Sequence, residues 1–331
     1  MRIHIAVIGA GRIGRIHAGN IAAHPAARLA GIADAVPDAA SQLAAALGVP
    51  VLTLDQAMQA DAVLIASPTP THADYIERAA SLKRPVFCEK PIDLSAARTR
   101  SSLAAARAAG IVLMVGFNRR FDPNFASLKH RLAAGEIGAL ELLTITSRDP
   151  APPPPAYVAT SGGLFRDMMI HDLDMARFLL DEEPVAVTAA ASCLVDPAIG
   201  AAGDVDTAVV TLRTASGRLC QISNSRRATY GYDQRIEAHG TTGLLRAGNV
   251  FPTTVEHADA SGFRSDPVLP FFVERYAAAY RAELDAFVAA VNGKATSWPN
   301  GEDGLRALLL ADAADTAART GQTVRPADIA P

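Results

Sequence analysis

Cysteine is scarce in this chain. The three cysteines among 331 residues, Cys88, Cys193 and Cys220, are far apart, odd in number and never paired as CxxC. That excludes a disulfide framework, argues against a structural zinc site and fits a reducing cytoplasm. No charge of one sign dominates: 31 Lys and Arg stand against 34 Asp and Glu, a formal net charge of -3 with no basic cluster. Neither nucleic acid nor an anionic membrane is therefore an expected partner. No apolar run reaches membrane-spanning length, and Met1 to Ile8 runs directly into a strand pattern and a glycine turn, with no room for a signal peptide. A soluble, cytoplasmic protein is the expectation.

Half of the residues are hydrophobic and alanine is abundant, which suits helices packed on sheets. The length predicts two domains, each able to bury its own core. Up to Asn118, apolar runs at Ile3 to Ile8, Leu29 to Ala33, Ala62 to Ser67, Pro85 to Cys88 and Ile111 to Phe117 alternate with helical stretches such as Ser95 to Ala109. Strands apolar on both faces and separated by helices predict a doubly wound parallel sheet over residues 1–118. From 119 to 331 the pattern changes. It predicts a helix at Asn124 to Ala134, a strand at Leu140 to Ser147, a Pro-rich loop at Pro150 to Pro155 whose four prolines form a stiff surface or a mere spacer, and a helix from Phe165 to Leu180. Alternating segments at Ala186 to Leu194, Thr207 to Thr214 and Arg218 to Ser225 then predict an antiparallel sheet, and helices at Phe272 to Val291 and Gly301 to Ala318 close the chain.

The chemistry-bearing motifs lie at the ends of the first-domain strands. Gly9-Ala10-Gly11-Arg12-Ile13-Gly14 matches GxGxxG between a strand and a helix, where it binds a dinucleotide pyrophosphate at the helix N-terminus. Asp34 closes the second strand at the spacing where a carboxylate bonds the adenosine ribose and disfavours the extra phosphate of NADP, so the expected cofactor is NAD. Gly9, Gly11, Arg12, Ile13, Gly14, Asp34, Ser67, Thr69, His72, Glu89 and Lys90 are candidate cofactor contacts. Ser67 to His72 follows the third strand, with Thr71 a candidate cap for the next helix, and Glu89-Lys90-Pro91 ends the fourth.

In the second domain, Asp167, His171 and Asp174 recur at i, i+4 and i+7, which on a regular helix places them on one face. A carboxylate beside an imidazole fixes its tautomer and raises its basicity, as a base removing an alcohol proton requires. A metal site is not expected, because catalytic zinc wants three protein ligands and the other histidines show no matching pair.

The GAGRIG turn, the SPTPTH loop, the EKP strand end, the Gly116-Phe117-Asn118-Arg119-Arg120-Phe121-Asp122 junction and the DxxxH segment, in this order, resemble the Gfo/Idh/MocA oxidoreductases over essentially the whole chain. Within that family, Ser147 to Pro153, Gly162 to Asp172 and Tyr230 to Arg235 look most like inositol 2-dehydrogenases. The resemblance implies an N-terminal Rossmann domain, a C-terminal α/β domain with an open, mostly antiparallel sheet that packs against other subunits, and a homotetramer. It implies Lys90, Asp167 and His171 as the catalytic trio, with Asn118, Arg119, Asp149 and Tyr232 completing the substrate wall. The implied reaction is NAD-dependent oxidation of myo-inositol to 2-keto-myo-inositol. Oxidation of scyllo-inositol or an aldose is the alternative within the family, and a non-catalytic NAD-binding sensor the alternative outside it.

Overall fold

The structure is a computed structural model that describes residues 2–295 and 297–329. Met1, Ala330 and Pro331, at the ends of the two expected domain ranges, lie outside the described residues, as does Thr296.

One compact unit comprises residues 2–121 and 279–308. Its strands β1 (Ile3–Ile8), β2 (Ala27–Ala33), β3 (Ala62–Ile65), β4 (Val86–Cys88) and β5 (Leu113–Val115) form a parallel sheet in the order β2-β1-β3-β4-β5. Ile5, Val7, Val63, Leu64 and Ile65 are buried, as strands covered on both faces must be. Helix α1 (Arg12–Ala23) follows β1, α2 (Pro37–Leu47) and the short α3 (Leu54–Ala57) follow β2, α4 (His72–Ser81) follows β3, and α5 (Ala96–Ala109) follows β4. The order reverses at β1, so the carboxyl ends of β1 and β3 flank the crevice where such sheets bind ligands. Leu284, Phe287 and Val288, late in the chain, complete this core beside Phe87 and Met114.

The other unit comprises residues 122–278 and 309–329. It contains α6 (Pro123–Ala133), β6 (Leu140–Arg148), α7 (Pro155–Ser161), α8 (Ile170–Leu180), β7 (Pro184–Ser192), α9 (Pro197–Ala201), β8 (Thr207–Thr214), β9 (Leu219–Ser225), β10 (Asp233–Gly240) and β11 (Gly243–Ala247). A small exposed hairpin, β12 (Glu256–Asp259) with β13 (Gly262–Ser265), and α10 (Phe272–Arg275) follow. The chain ends with α11 (Ala277–Val291) and α12 (Gly301–Thr320). Six strands form a mixed sheet in the order β11-β10-β6-β9-β8-β7, antiparallel throughout except for the pair β6 and β9. Alternation is strict along β8, where every second residue from Ala208 is buried.

Three local expectations change. The helix expected from Phe165 to Leu180 begins as a wide π-type segment, Leu164–Met169, before α8. Gly163 makes this start feasible: its φ is 81°, and a Cβ there would lie 2.6 Å from Asp204 Oδ1, the atom that accepts the Leu164 amide at 3.0 Å. The helix expected from Phe272 to Val291 breaks at Tyr276, whose buried ring packs under the Arg275 guanidinium, itself paired in the interior with Asp122. The Pro-rich loop is shorter than expected, because α7 starts at Pro155, where a helix tolerates proline.

Candidate active site

The three glycines of the first turn are separable by geometry. Gly9 has φ 112°, and a Cβ on it would sit 2.4 Å from the Ala66 carbonyl carbon, so the turn after β1 lies directly on the one after β3. A Cβ on Gly14 would strike the Gly9 carbonyl oxygen at 1.9 Å, whereas one on Gly11 would meet nothing within 4 Å. Gly11 also caps α1 without any side chain covering the helix start. Tight packing at two glycines and open space at the middle one is the cradle that a pyrophosphate on a helix N-terminus fits. Arg12 is exposed and Ile13 half-buried on the first turn of α1.

Asp34 stands at the end of β2 and ties this edge together: Oδ2 accepts the Ala10 amide at 2.6 Å and Oδ1 accepts the Val36 amide at 2.7 Å. Carboxylate oxygens each carry a second lone pair, so the group keeps capacity for a ribose hydroxyl. In the next loop the Ser67 and Thr71 hydroxyls lie 2.6 Å apart, and Thr71 donates to the Pro68 carbonyl; it does not cap α4 through its side chain as the sequence suggested. Thr69 begins the single helical turn between them. His72 is buried, with Nε2 2.7 Å from the Ser67 carbonyl and Nδ1 2.8 Å from that of Pro91. His72 thus seats the Ser67 loop against the Glu89-Lys90-Pro91 turn. Burial lowers its pKa, outweighing the two carbonyls that favour the imidazolium. Asn118 and Arg119 follow β5 in a buried turn of 3₁₀ geometry, and Lys90 is half-buried after β4.

Glu89, expected beside the cofactor, has an interior partner. Its Oε1 lies 2.6 Å from His17 Nε2, and Gly116 leaves room for it, since a Cβ there would fall 2.9 Å from Glu89 Oε2. Glu283 of α11 is fully buried with one oxygen 4.0 Å from the same His17 nitrogen, and neither of its oxygens has a hydrogen-bond partner. Burial, reinforced by the Glu89 charge, pushes the Glu283 carboxyl well above the usual range. The fold thus joins a histidine to two carboxylates that sequence spacing did not pair. His17 and Glu283 come from helices remote in sequence, and only their anomalous polarity on otherwise apolar faces marked them.

In the second unit Asp167 sits in the π-type segment and His171 on the first turn of α8, both half-buried. Tyr157 donates its hydroxyl to Asp167 Oδ1 at 2.9 Å, and both terminal nitrogens of Arg226 lie 3.4 Å from Oδ2. Asp174 stands three residues after His171 on α8, buried and 3.6 Å from the Arg177 guanidinium. A regular helix advances about 100° per residue, and the wide turn before Ile170 changes the phase of Asp167 against both. Asp172 is fully buried and accepts from the Asn224 amide at 3.0 Å, pinning α8 to β9. Asp149 follows β6, 3.5 Å from Arg226 Nη1. Tyr232 is buried in an aromatic cluster, its ring 5.8 Å from that of Phe271 and 6.0 Å from that of Tyr276. Sequence reasoning missed Tyr157, Asn224 and Arg226, none of which stands in a motif.

Residues 3–117 match the model of an oxidoreductase family with an NAD-binding Rossmann fold, and residues 125–246 match the GFO/IDH/MocA C-terminal domain. The chain is 52% identical to an inositol 2-dehydrogenase of Rhizobium meliloti, over 95% of this chain and 96% of that one. It is 46% identical to a myo-inositol 2-dehydrogenase of Thermotoga maritima, over 98% of each. Among solved structures, a myo-inositol dehydrogenase from Corynebacterium glutamicum superposes with a TM-score of 0.94 at 46% identity, covering 100% of both chains. A scyllo-inositol dehydrogenase from Lactobacillus casei, solved with bound NAD(H) and scyllo-inositol, superposes at 0.91 with 31% identity, covering 99% of this chain and 100% of that one.

Proposed function

The chain belongs to the Gfo/Idh/MocA oxidoreductases, with an NAD-binding Rossmann domain at its N-terminus, and on that premise we propose that it oxidises a secondary ring hydroxyl of a cyclic polyol, myo-inositol to 2-keto-myo-inositol. The observation that carries this reading is the 52% identity to an inositol 2-dehydrogenase over 95% of the chain.

Gly9, Gly11, Arg12, Ile13, Gly14 and Asp34 would hold the adenosine and pyrophosphate part of NAD, with Ser67, Thr69, Glu89 and Lys90 along the same sheet edge. When bound, NAD supplies the nicotinamide carbon that accepts hydride. His171 takes the proton from the reacting hydroxyl, which as general base contributes roughly 10²- to 10⁴-fold. The Lys90 ammonium stabilises the charge that develops on that oxygen. Asp167, held by Tyr157, supports the imidazolium that His171 becomes. Asn118, Arg119, Asp149 and Tyr232 are assigned to the remaining ring hydroxyls, for which charged and amide groups are apt partners.

The reading includes a reducing cytoplasm, which the three free cysteines fit, and a homotetramer. The outer face of the six-stranded sheet supports assembly. Leu244, opposite His239, and Leu142, opposite both His239 and Leu219, form one cross-strand row in which all three leucines are at least 40% exposed. Clustered exposed apolar side chains of this kind mark interaction surfaces, and a second copy of the chain is the occupant this reading assigns.

Steady-state NAD reduction with myo-inositol, scyllo-inositol and hexoses side by side tests the substrate. Highest kcat/KM with myo-inositol is expected. Preference for scyllo-inositol or an aldose would move the enzyme within its family, and no reduction with any polyol would leave a sensor.

A further inference from the structure

Strands β6 and β9 are the parallel pair in a sheet otherwise antiparallel, so their carboxyl ends share one edge. Arg148 registers with Ser225, and the Asp149 amide donates to the Ser225 carbonyl at 2.9 Å. The next residue of each strand, Asp149 and Arg226, therefore emerges beside the other. The Arg226 amide is itself fixed, donating to the Asp206 carbonyl at 2.8 Å. Its side chain is only 3% exposed, with Nη1 3.5 Å from Asp149 Oδ2 and both terminal nitrogens 3.4 Å from Asp167 Oδ2.

Two carboxylates gathered at one place repel, and one takes up a proton unless a cation lies between them. A protonated Asp167 could not support an imidazolium. Arginine suits the position because it stays charged when buried and its planar fork addresses two carboxylates at once, which a lysine point charge does not. The contacts exceed the roughly 2.7–2.9 Å of tight charge-assisted bonds, leaving room to close when substrate arrives.

We propose that Arg226 is a positioning residue of the reaction: its buried guanidinium joins Asp149 to Asp167 and sets where the carboxylate that supports His171 stands. The inference rests on the roles of Asp167 and His171 given above and deepens them.

The test compares wild type, Arg226→Gln, Asp167→Asn and the double variant, with Arg226→Lys alongside, on the polyol the wild type oxidises best. Arg226→Gln should lower kcat by about 10- to 100-fold, the loss expected for a hydrogen bond between charged groups. NADH binding should stay within about twofold, and deuterium at the reacting carbon should slow kcat more than in wild type, because hydride transfer has become limiting. In the Asp167→Asn background the same change should cost less than about threefold, since the two residues act as a unit. Arg226→Lys should recover only part of the loss. Wild-type kcat and isotope effect in Arg226→Gln, or losses that multiply in the double variant, would overturn the proposal. If Arg226→Gln fails to fold, as lost NADH binding would reveal, Arg226→Lys carries the same cycle. A wild type that reduces NAD with no polyol overturns the dehydrogenase reading and this role together; an active wild type with a silent Arg226→Gln overturns this role alone.

Discussion

The Ala10 amide, in the middle of the glycine turn, donates to the Asp34 carboxylate at 2.6 Å. The residue proposed to choose the cofactor thereby also holds the glycine turn proposed to seat it. Asp34→Ala should narrow the preference for NAD over NADP by at least about tenfold and also weaken NAD itself, because a hydrogen bond to a charged group, worth about 1.5–3 kcal/mol, is lost from the turn. The ratio of kcat/KM with the two cofactors, read beside NAD affinity, checks both parts. An unchanged ratio would remove Asp34 from the ribose.

Glu283 provides a pH-dependent consequence. Its carboxyl is raised in the folded protein by burial, whereas in the unfolded chain it titrates near about 4.3. The unfolded state therefore releases its proton first, and the stability contributed by the neutral group is present below that pH and lost as pH rises toward the folded value. Glu283→Gln keeps the neutral shape and removes the linkage. The variant's melting temperature should gain on wild type steadily from about pH 5 upward. Parallel melting curves at every pH would show that Glu283 is ionised in place.

The sheet face makes assembly testable without touching the site. Leu219, 41% exposed and directly opposite Leu142, stands in the apolar row. Leu219→Lys should leave the fold intact by circular dichroism while light scattering reports a smaller species than wild type, for which a tetramer is proposed. A wild-type monomer would contradict the assembly outright.

Much of this architecture is legible locally. Short, largely apolar runs mark β1 to β4, and the glycine turn declares itself because three glycines fall within six residues, two of them where a Cβ would clash. The DxxxH spacing points to Asp167 and His171 but not to the wide turn between them. Apolar periodicity over six residues does not distinguish a π-type from an α-type turn, so the phase of Asp167 at Leu164–Met169 against α8 is not legible. Glu283 meets His17 only because the chain returns to the first unit after residue 279, and Arg226 meets Asp149 only because β6 pairs parallel with β9. Both are facts of topology, and neither leaves a pattern in neighbouring residues.

The chemistry converges on His171, and one comparison decides its role. Turnover of myo-inositol by His171→Ala, measured with NADH affinity on the same preparation, should fall by about 10²- to 10⁴-fold while affinity stays within about twofold. Turnover equal to wild type at unchanged affinity would show that the proton leaves by another route.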